Sequence, residues 1–173
     1  MAVEAFSAPS ALWSAFTARA ELLGAAVIRT ASEETAAGVL SEATGSEFAC
    51  TAGAARRFPR LAAGASSAEN GQATEVVAPG EFAVAETGSV ALDEPRVDRG
   101  MCFLAERLWL VVPEHEIVPT LDVAMQRLRD LVANGSPHPL LMSGPSRSAD
   151  IERVITVGVH GPRAVVIMVV GQG

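Results

Sequence analysis

The chain is 173 residues long, with 49% hydrophobic residues, 19% charged residues and a formal net charge of −7. That length and balance describe one globular domain with a real core and exclude a disordered chain. All 13 basic residues are Arg, and an acidic chain without clustered cations is not expected to bind nucleic acid or an anionic membrane surface.

Two cysteines, Cys50 and Cys102, and three histidines are too few for a disulfide framework or for the four thiolates of an iron–sulfur cluster. An autonomous zinc site is equally unexpected, so no metal is assigned to this chain. Glu4 and the lack of a basic stretch near the N-terminus speak against a signal peptide. The longest apolar run, residues 164–170, is far short of the ~20 residues of a spanning helix, so no membrane span and a cytoplasmic location are expected.

In chain order, residues 9–24 place Leu12, Trp13, Phe16, Ala20 and Leu23 at helical spacing, with Ser7 or Ser10 to cap the start and Gly24 the end. Residues 25–28 read as a short strand. Ser32 opens a second helix toward Gly45, with Glu33 and Glu34 in the first turn, where acids suit the helix dipole. Residues 48–51 suggest a strand, 56–64 a weak helix interrupted by Pro59, and 65–73 a surface loop. Residues 75–77 read as a strand, 81–86 as a short turn or helix, 88–92 as a strand, 93–100 as a polar connection and 101–107 as a helical turn. LWLVV, residues 108–112, is a continuous apolar strand. Residues 119–133 form the clearest amphipathic helix, with Leu121, Ala124, Met125, Leu128 and Leu131 on one face. A strand at 140–142 precedes the SGPSRSAD turn and a short helix from about Ser148, and 165–170 is a final strand.

Continuous apolar runs alternating with helices predict strands covered on both faces: an α/β fold, a single layered domain with a mainly parallel sheet. Residues 1–72 are read as its N-terminal helix–strand part and 73–173 as the part that carries the chemistry-bearing motifs. Ligands in such folds sit outside the carboxyl ends of strands, which directs attention to the turns that follow them.

Three segments combine glycines with reactive side chains. In ETGS, Glu86-Thr87-Gly88-Ser89, Gly88 allows close backbone approach and two hydroxyls flank a carboxylate; the plainer alternative is a turn whose Thr and Ser satisfy the backbone. In SGPSRSADIE, residues 143–152, a strand runs into Ser143, Gly144 and Ser146 beside Arg147, a combination suited to a carboxylate or phosphate. Its alternative is a capping Ser, with Asp150 serving the helix dipole or pairing with Arg147. In GVHGP, residues 158–162, His160 between glycines offers acid–base chemistry or a simple loop hydrogen bond. No G-x-S-x-G elbow, Walker A, H-E-x-x-H or G-x-G-x-x-G motif occurs in a convincing context.

Taken together, ETGSVAL (86–92), EIVPTLDVAMQRL (116–128), SGPSRSADIE and GVHGP resemble the LUD domain of the lactate-utilisation protein C family, over about residues 82–170. The resemblance implies a NagB/RpiA/CoA-transferase-like fold and a place in a lactate-utilisation system that oxidises L-lactate to pyruvate. Its iron–sulfur clusters would reside only in partner subunits, with no cofactor bound by this chain. By position it marks Glu86, Thr87, Gly88, Ser143, Gly144, Ser146, Arg147, Asp150, Glu152, His160 and Gly161 as shared motif positions; from their chemistry, Glu86 and His160 are the catalytic candidates and Thr87, Gly88, Ser89, Ser143, Gly144, Ser146 and Arg147 the candidate binding set for a small carboxylate. Asp150, Glu152, Gly158, Gly161 and Pro162 complete the motif as structural positions. One departure is visible. The family pattern has a Leu-Leu-Pro stretch and a His near the start of the strand matching LWLVV; here FLAERLWLVV places Ala105 and Leu108 there.

The leading expectation is therefore a subunit of an L-lactate-oxidising complex. Two alternatives stand beside it: a non-catalytic assembly or regulatory subunit, and an independent CoA-transferase- or sugar-phosphate-isomerase-like enzyme with Glu86 as base or nucleophile. Homo-oligomerisation is left open.

Overall fold

The computed structural model describes residues 9–45, 47–65, 74–148, 156–157 and 161–171. Its centre is a five-stranded, wholly parallel sheet. The strands are β1 (Ala26–Thr30), β2 (Ala49–Cys50), β3 (Glu75–Pro79), β6 (Arg107–Pro113) and β11 (Ala164–Val170), in spatial order β1-β11-β6-β3-β2. Strands from both parts of the chain share this sheet. A second sheet, which the sequence did not announce, has the order β7-β4-β5-β8. It consists of β4 (Phe82–Val84), β5 (Ser89–Leu92), β7 (Ile117–Val118) and β8 (Leu140–Met142). Two residues from each side, Arg147–Ser148 (β9) and Thr156–Val157 (β10), form a separate antiparallel ladder.

Side chains alternate between the faces of a strand, and β6 sorts its residues accordingly. Trp109 and Val111 join Val77, Val166 and Met168 under α2 (Glu33–Thr44), α3 (Ala52–Arg57) and α4 (Pro59–Ala62). Leu108, Leu110 and Val112 join Val76, Ile167 and Val169 on the opposite face. That face packs on Phe16 and Ala20 of α1 (Pro9–Leu22), on Cys102 of α5 (Arg96–Leu104), and on Ala83, Val90, Leu92 and Met142 of the small sheet. The outer side of the small sheet, Phe82, Val84, Ala91 and Val118, is covered by α6 (Leu121–Ala133) through Ala124. Leu108, Leu110 and Ile167 are fully buried, each stabilising the fold by roughly 1.5–3 kcal/mol.

Local signals account for most boundaries. Ser32 caps α2 in a reciprocal pair with Thr35, and Gly45 closes it at φ 61°. Pro59 begins α4 because a first-turn residue needs no N–H partner. Five expectations are corrected. Residues 82–84 are strand β4, not a turn or helix. The helix around residue 101 starts at Arg96, and Arg107 already belongs to β6. Of the expected face of α6, Ala124 alone is fully buried, whereas Leu121 and Met125 are 38% and 41% exposed. Arg147 and Ser148 pair with Val157 and Thr156 as strands rather than forming a turn and a helix start; a helix beyond Ser148 would lie outside the described residues. Ser10 lies inside α1 rather than capping it. The Ser7 cap and the loop over 66–73 lie outside the described residues.

Candidate functional site

The ETGS and SGPS turns meet. Thr87 Oγ1 donates to Ser89 Oγ at 2.9 Å, and Ser89 Oγ lies 2.6 Å from Ser143 Oγ. Ser89, the middle hydroxyl, is buried, while Thr87 is half-buried and Ser143 exposed, so the chain of hydroxyls runs from the protein interior to its surface. The two glycines explain how the turns come together. Gly88 (φ 68°) and Gly144 (φ 74°) adopt the left-handed conformation that other residues resist. A Cβ on Gly88 would stand 2.4 Å from Ala20 N, and one on Gly144 2.7 Å from Leu23 O. Both turns thus press directly on the backbone at the end of α1.

The third segment joins through Ser146. Its N–H donates to Pro162 O at 3.0 Å, and a Cβ on Gly161 would lie 3.2 Å from Ser146 Cβ. Thr87, Gly88, Ser89, Ser143, Gly144, Ser146, Gly161 and Pro162 therefore form one continuous cluster. Asp150, Glu152, Gly158 and His160 lie outside the described residues. Glu86 points elsewhere: its Oε2 accepts from Leu121 N at 2.7 Å. With Thr120, which takes Val123 N, it satisfies two of the orphan N–H groups at the start of α6.

The cluster's position in the fold differs from the sequence expectation. α1 turns tightly into β1, with Ala25 N donating to Ala20 O, so the end of α1 marks the amino-terminal edge of the parallel sheet. SGPS follows β8, but β4 and β5 form a hairpin that crosses the domain. This brings the signature turns to the amino edge, opposite the usual ligand edge of parallel sheets.

At the carboxyl edge the sequence reading missed Glu94, treating 93–100 as a polar connection; an acidic pair directly after an apolar strand was the available signal. Glu94 is buried, 4% exposed. Thr51 Oγ1, which itself accepts from Ala54 N, donates to Glu94 Oε1 at 2.9 Å, and Asp98 accepts from Ala52 N. Burial pushes the Glu94 carboxyl up to about 7; Asp98 and Glu81 add to this, while the Thr51 bond and Arg56 oppose it. A cavity of about 340 Å³ opens along the same edge, lined in part by Ser32, Glu33, Arg57, Arg60, Pro113 and Gly171. Burial also raises Cys50 to about 11 and Cys102 to about 12, so both stay thiols near neutrality and are poor nucleophiles or metal ligands. Among the described residues no group of three or more His, Cys, Asp or Glu is placed to hold a metal ion, and no helix is long and apolar enough to cross a membrane.

The parallel α/β core and its converging signature turns define a LUD domain: that family's profile matches residues 77–170, more than half of the chain. The chain belongs to the LUD-domain family. It is similar to lactate utilization protein C of Bacillus subtilis, 38% identical over 86 residues that cover 47% of this chain and 36% of that protein. It is likewise similar to lactate utilization protein C of Deinococcus radiodurans, 37% identical over 109 residues covering 61% of this chain and 50% of that one. The match spans half or less of the length of these relatives. A crystal structure of a DUF162 family protein from Deinococcus radiodurans superposes over 95% of this chain and 99% of its own, with a TM-score of 0.71 at 25% identity.

Proposed function

We propose that this chain serves lactate utilisation as the LUD-domain subunit of a cytoplasmic system in which iron–sulfur partner proteins oxidise L-lactate to pyruvate. The observation that carries the reading is the meeting of the three signature segments through the Ser89–Ser143 and Ser146–Pro162 contacts, in a chain whose relatives carry lactate-utilisation names. In this reading Arg147, in β9 just after the SGPS turn, grips a small carboxylate, a bidentate pairing that suits guanidinium geometry. His160 takes the hydroxyl proton, because one Glu86 oxygen is already engaged by Leu121. The two electrons and second proton released when lactate becomes pyruvate pass to the iron–sulfur partners; no cofactor is assigned to this chain. The test is Arg147→Ala in the reconstituted system, with lactate-dependent reduction as readout. A large loss of rate is expected, and an unchanged rate refutes the anion role.

A second reading, a non-catalytic assembly subunit, draws support from the same geometry. Glu86 caps α6, the hydroxyls satisfy one another, and Gly88 and Gly144 pack on α1. Capture of an iron–sulfur partner by the Arg147→Ala variant at full strength, with no carboxylate binding by the wild type in calorimetry, would select this reading.

A further inference from the structure

We infer that Glu94 is a proton-controlled latch between the start of α3 and the segment leading into α5, closed while its carboxyl is neutral and loosened when it ionises. The inference concerns the carboxyl edge of the sheet and does not depend on the lactate reading. Its basis is an asymmetry between the two oxygens. Oε1 is held by Thr51, whereas Oε2 is buried and has no hydrogen-bond partner among the described residues. A neutral acid tolerates that environment; a carboxylate would leave charge on a buried oxygen with no donor, which is far more costly.

The surrounding groups deepen the asymmetry. Asp98 and Cys102 face Glu94 from α5, Arg56 from α3, and Glu81 from the turn after β3. Glu81 is itself paired with Arg57 at 3.2 Å. Arg56 is thus the one cation among these groups acting on Glu94, against two acids. Gly53 makes the close fit possible, since a Cβ there would collide with Glu94 Oε1.

The element that would give way is weakly held. α5 has no side-chain cap at Pro95, and Cys102 is its single buried residue. Val97 and Leu104 are largely exposed. Few buried contacts make local opening inexpensive, and ionisation of Glu94 supplies a reason for it. Near its far end α5 presents Phe103, whose Cδ1 would be 4.0 Å from a Cβ on Gly161. Movement of α5 would therefore be felt at the signature cluster on the opposite edge.

The test is amide hydrogen exchange on the whole chain from about pH 5 to about pH 8.5, corrected for intrinsic exchange, in the wild type and in Glu94→Gln. In the wild type, protection across α5 should fall by up to roughly tenfold per pH unit between about pH 5 and about pH 7, where the closed form alone keeps its proton, and level off above that, while the variant stays flat. A pH dependence that persists in Glu94→Gln, or none in the wild type, overturns the latch. Carbon-13 NMR of the wild-type side-chain carboxyls gives an independent check should the variant fail to fold. The Glu94 signal must titrate near neutrality, where the loss of protection levels off, and a carboxyl already ionised at pH 5 overturns the inference.

Discussion

Gly45 and Gly88 share nearly the same backbone, φ 61° and 68°, in opposite surroundings, and alanine at each separates conformational strain from collision. A Cβ at Gly45 meets nothing within 4 Å, whereas at Gly88 it would stand 2.4 Å from Ala20 N and 2.6 Å from Arg19 C. The left-handed conformation costs a non-glycine residue roughly 1–2 kcal/mol, partly offset by about 0.4–1 kcal/mol from the stiffer unfolded chain. Gly45→Ala should therefore lose about 1 kcal/mol. Gly88→Ala carries the same strain and must also push back helix backbone by about 1 Å, from a helix anchored in the core by Phe16 and Ala20; forcing such a shift adds roughly 1–3 kcal/mol. Urea unfolding measures both, and the total for Gly88→Ala should reach about 2–4 kcal/mol, with a melting temperature lowered by roughly 2–4 °C per kcal/mol. Equal losses at the two sites would refute the claim that the signature turn is built against α1.

Three further outcomes are expected. The folded chain favours neutral Glu94, so its contribution is fully present below about pH 4.5 and is lost as pH rises through about 7; that shift corresponds to about 3 kcal/mol. Glu94→Gln should accordingly match the wild type near pH 5 and exceed it by up to about 3 kcal/mol near pH 8.5 in denaturant titrations, and a constant difference across that range contradicts the assignment. Glu86→Ala should cost about 1 kcal/mol through the lost cap on α6, with Glu86→Gln recovering much of it; an unchanged stability in Glu86→Ala would show that the Leu121 contact contributes nothing. Ser89→Ala and Ser143→Ala, measured with the double variant, should show a coupling of about 0.5–1.5 kcal/mol from their shared hydrogen bond, and additivity within error would break the hydroxyl chain.

The central sheet was legible because its long strands are apolar on both faces: Leu108 to Val112 of LWLVV divides between two cores, and no half-exposed strand would read that way. The small sheet escaped because β4 is three residues long and sits between Glu81 and Glu86, acids that locally suggest a surface turn. The face of α6 was overestimated for a related reason. Four short strands offer Phe82, Val84, Ala91 and Val118, with the partly buried Leu141, as a seat, enough to bury Ala124 and cover parts of Leu128 and Leu131 while Leu121 and Met125 stay more than a third exposed. The signature turns could be named from their residues, but their edge of the sheet could not, since it depends on the path of the β4–β5 hairpin. The acidic pair after an apolar strand hinted at Glu94, but its chemistry could not be read there because it arises from Thr51 and Gly53, some forty positions earlier.

The order β1-β11-β6-β3-β2 also bears on biosynthesis. Among the described strands, β1 has β11 as its hydrogen-bonding neighbour, so β1 finds its place only after β11, far later in chain order, has been made. At ordinary translation rates the delay is on the order of ten seconds, during which an apolar ribbon with unpaired backbone groups stands exposed to other nascent chains. Such a chain should lean on holding chaperones while it is being made, and shortening it from the carboxyl side into β11 should yield aggregates rather than a smaller folded unit.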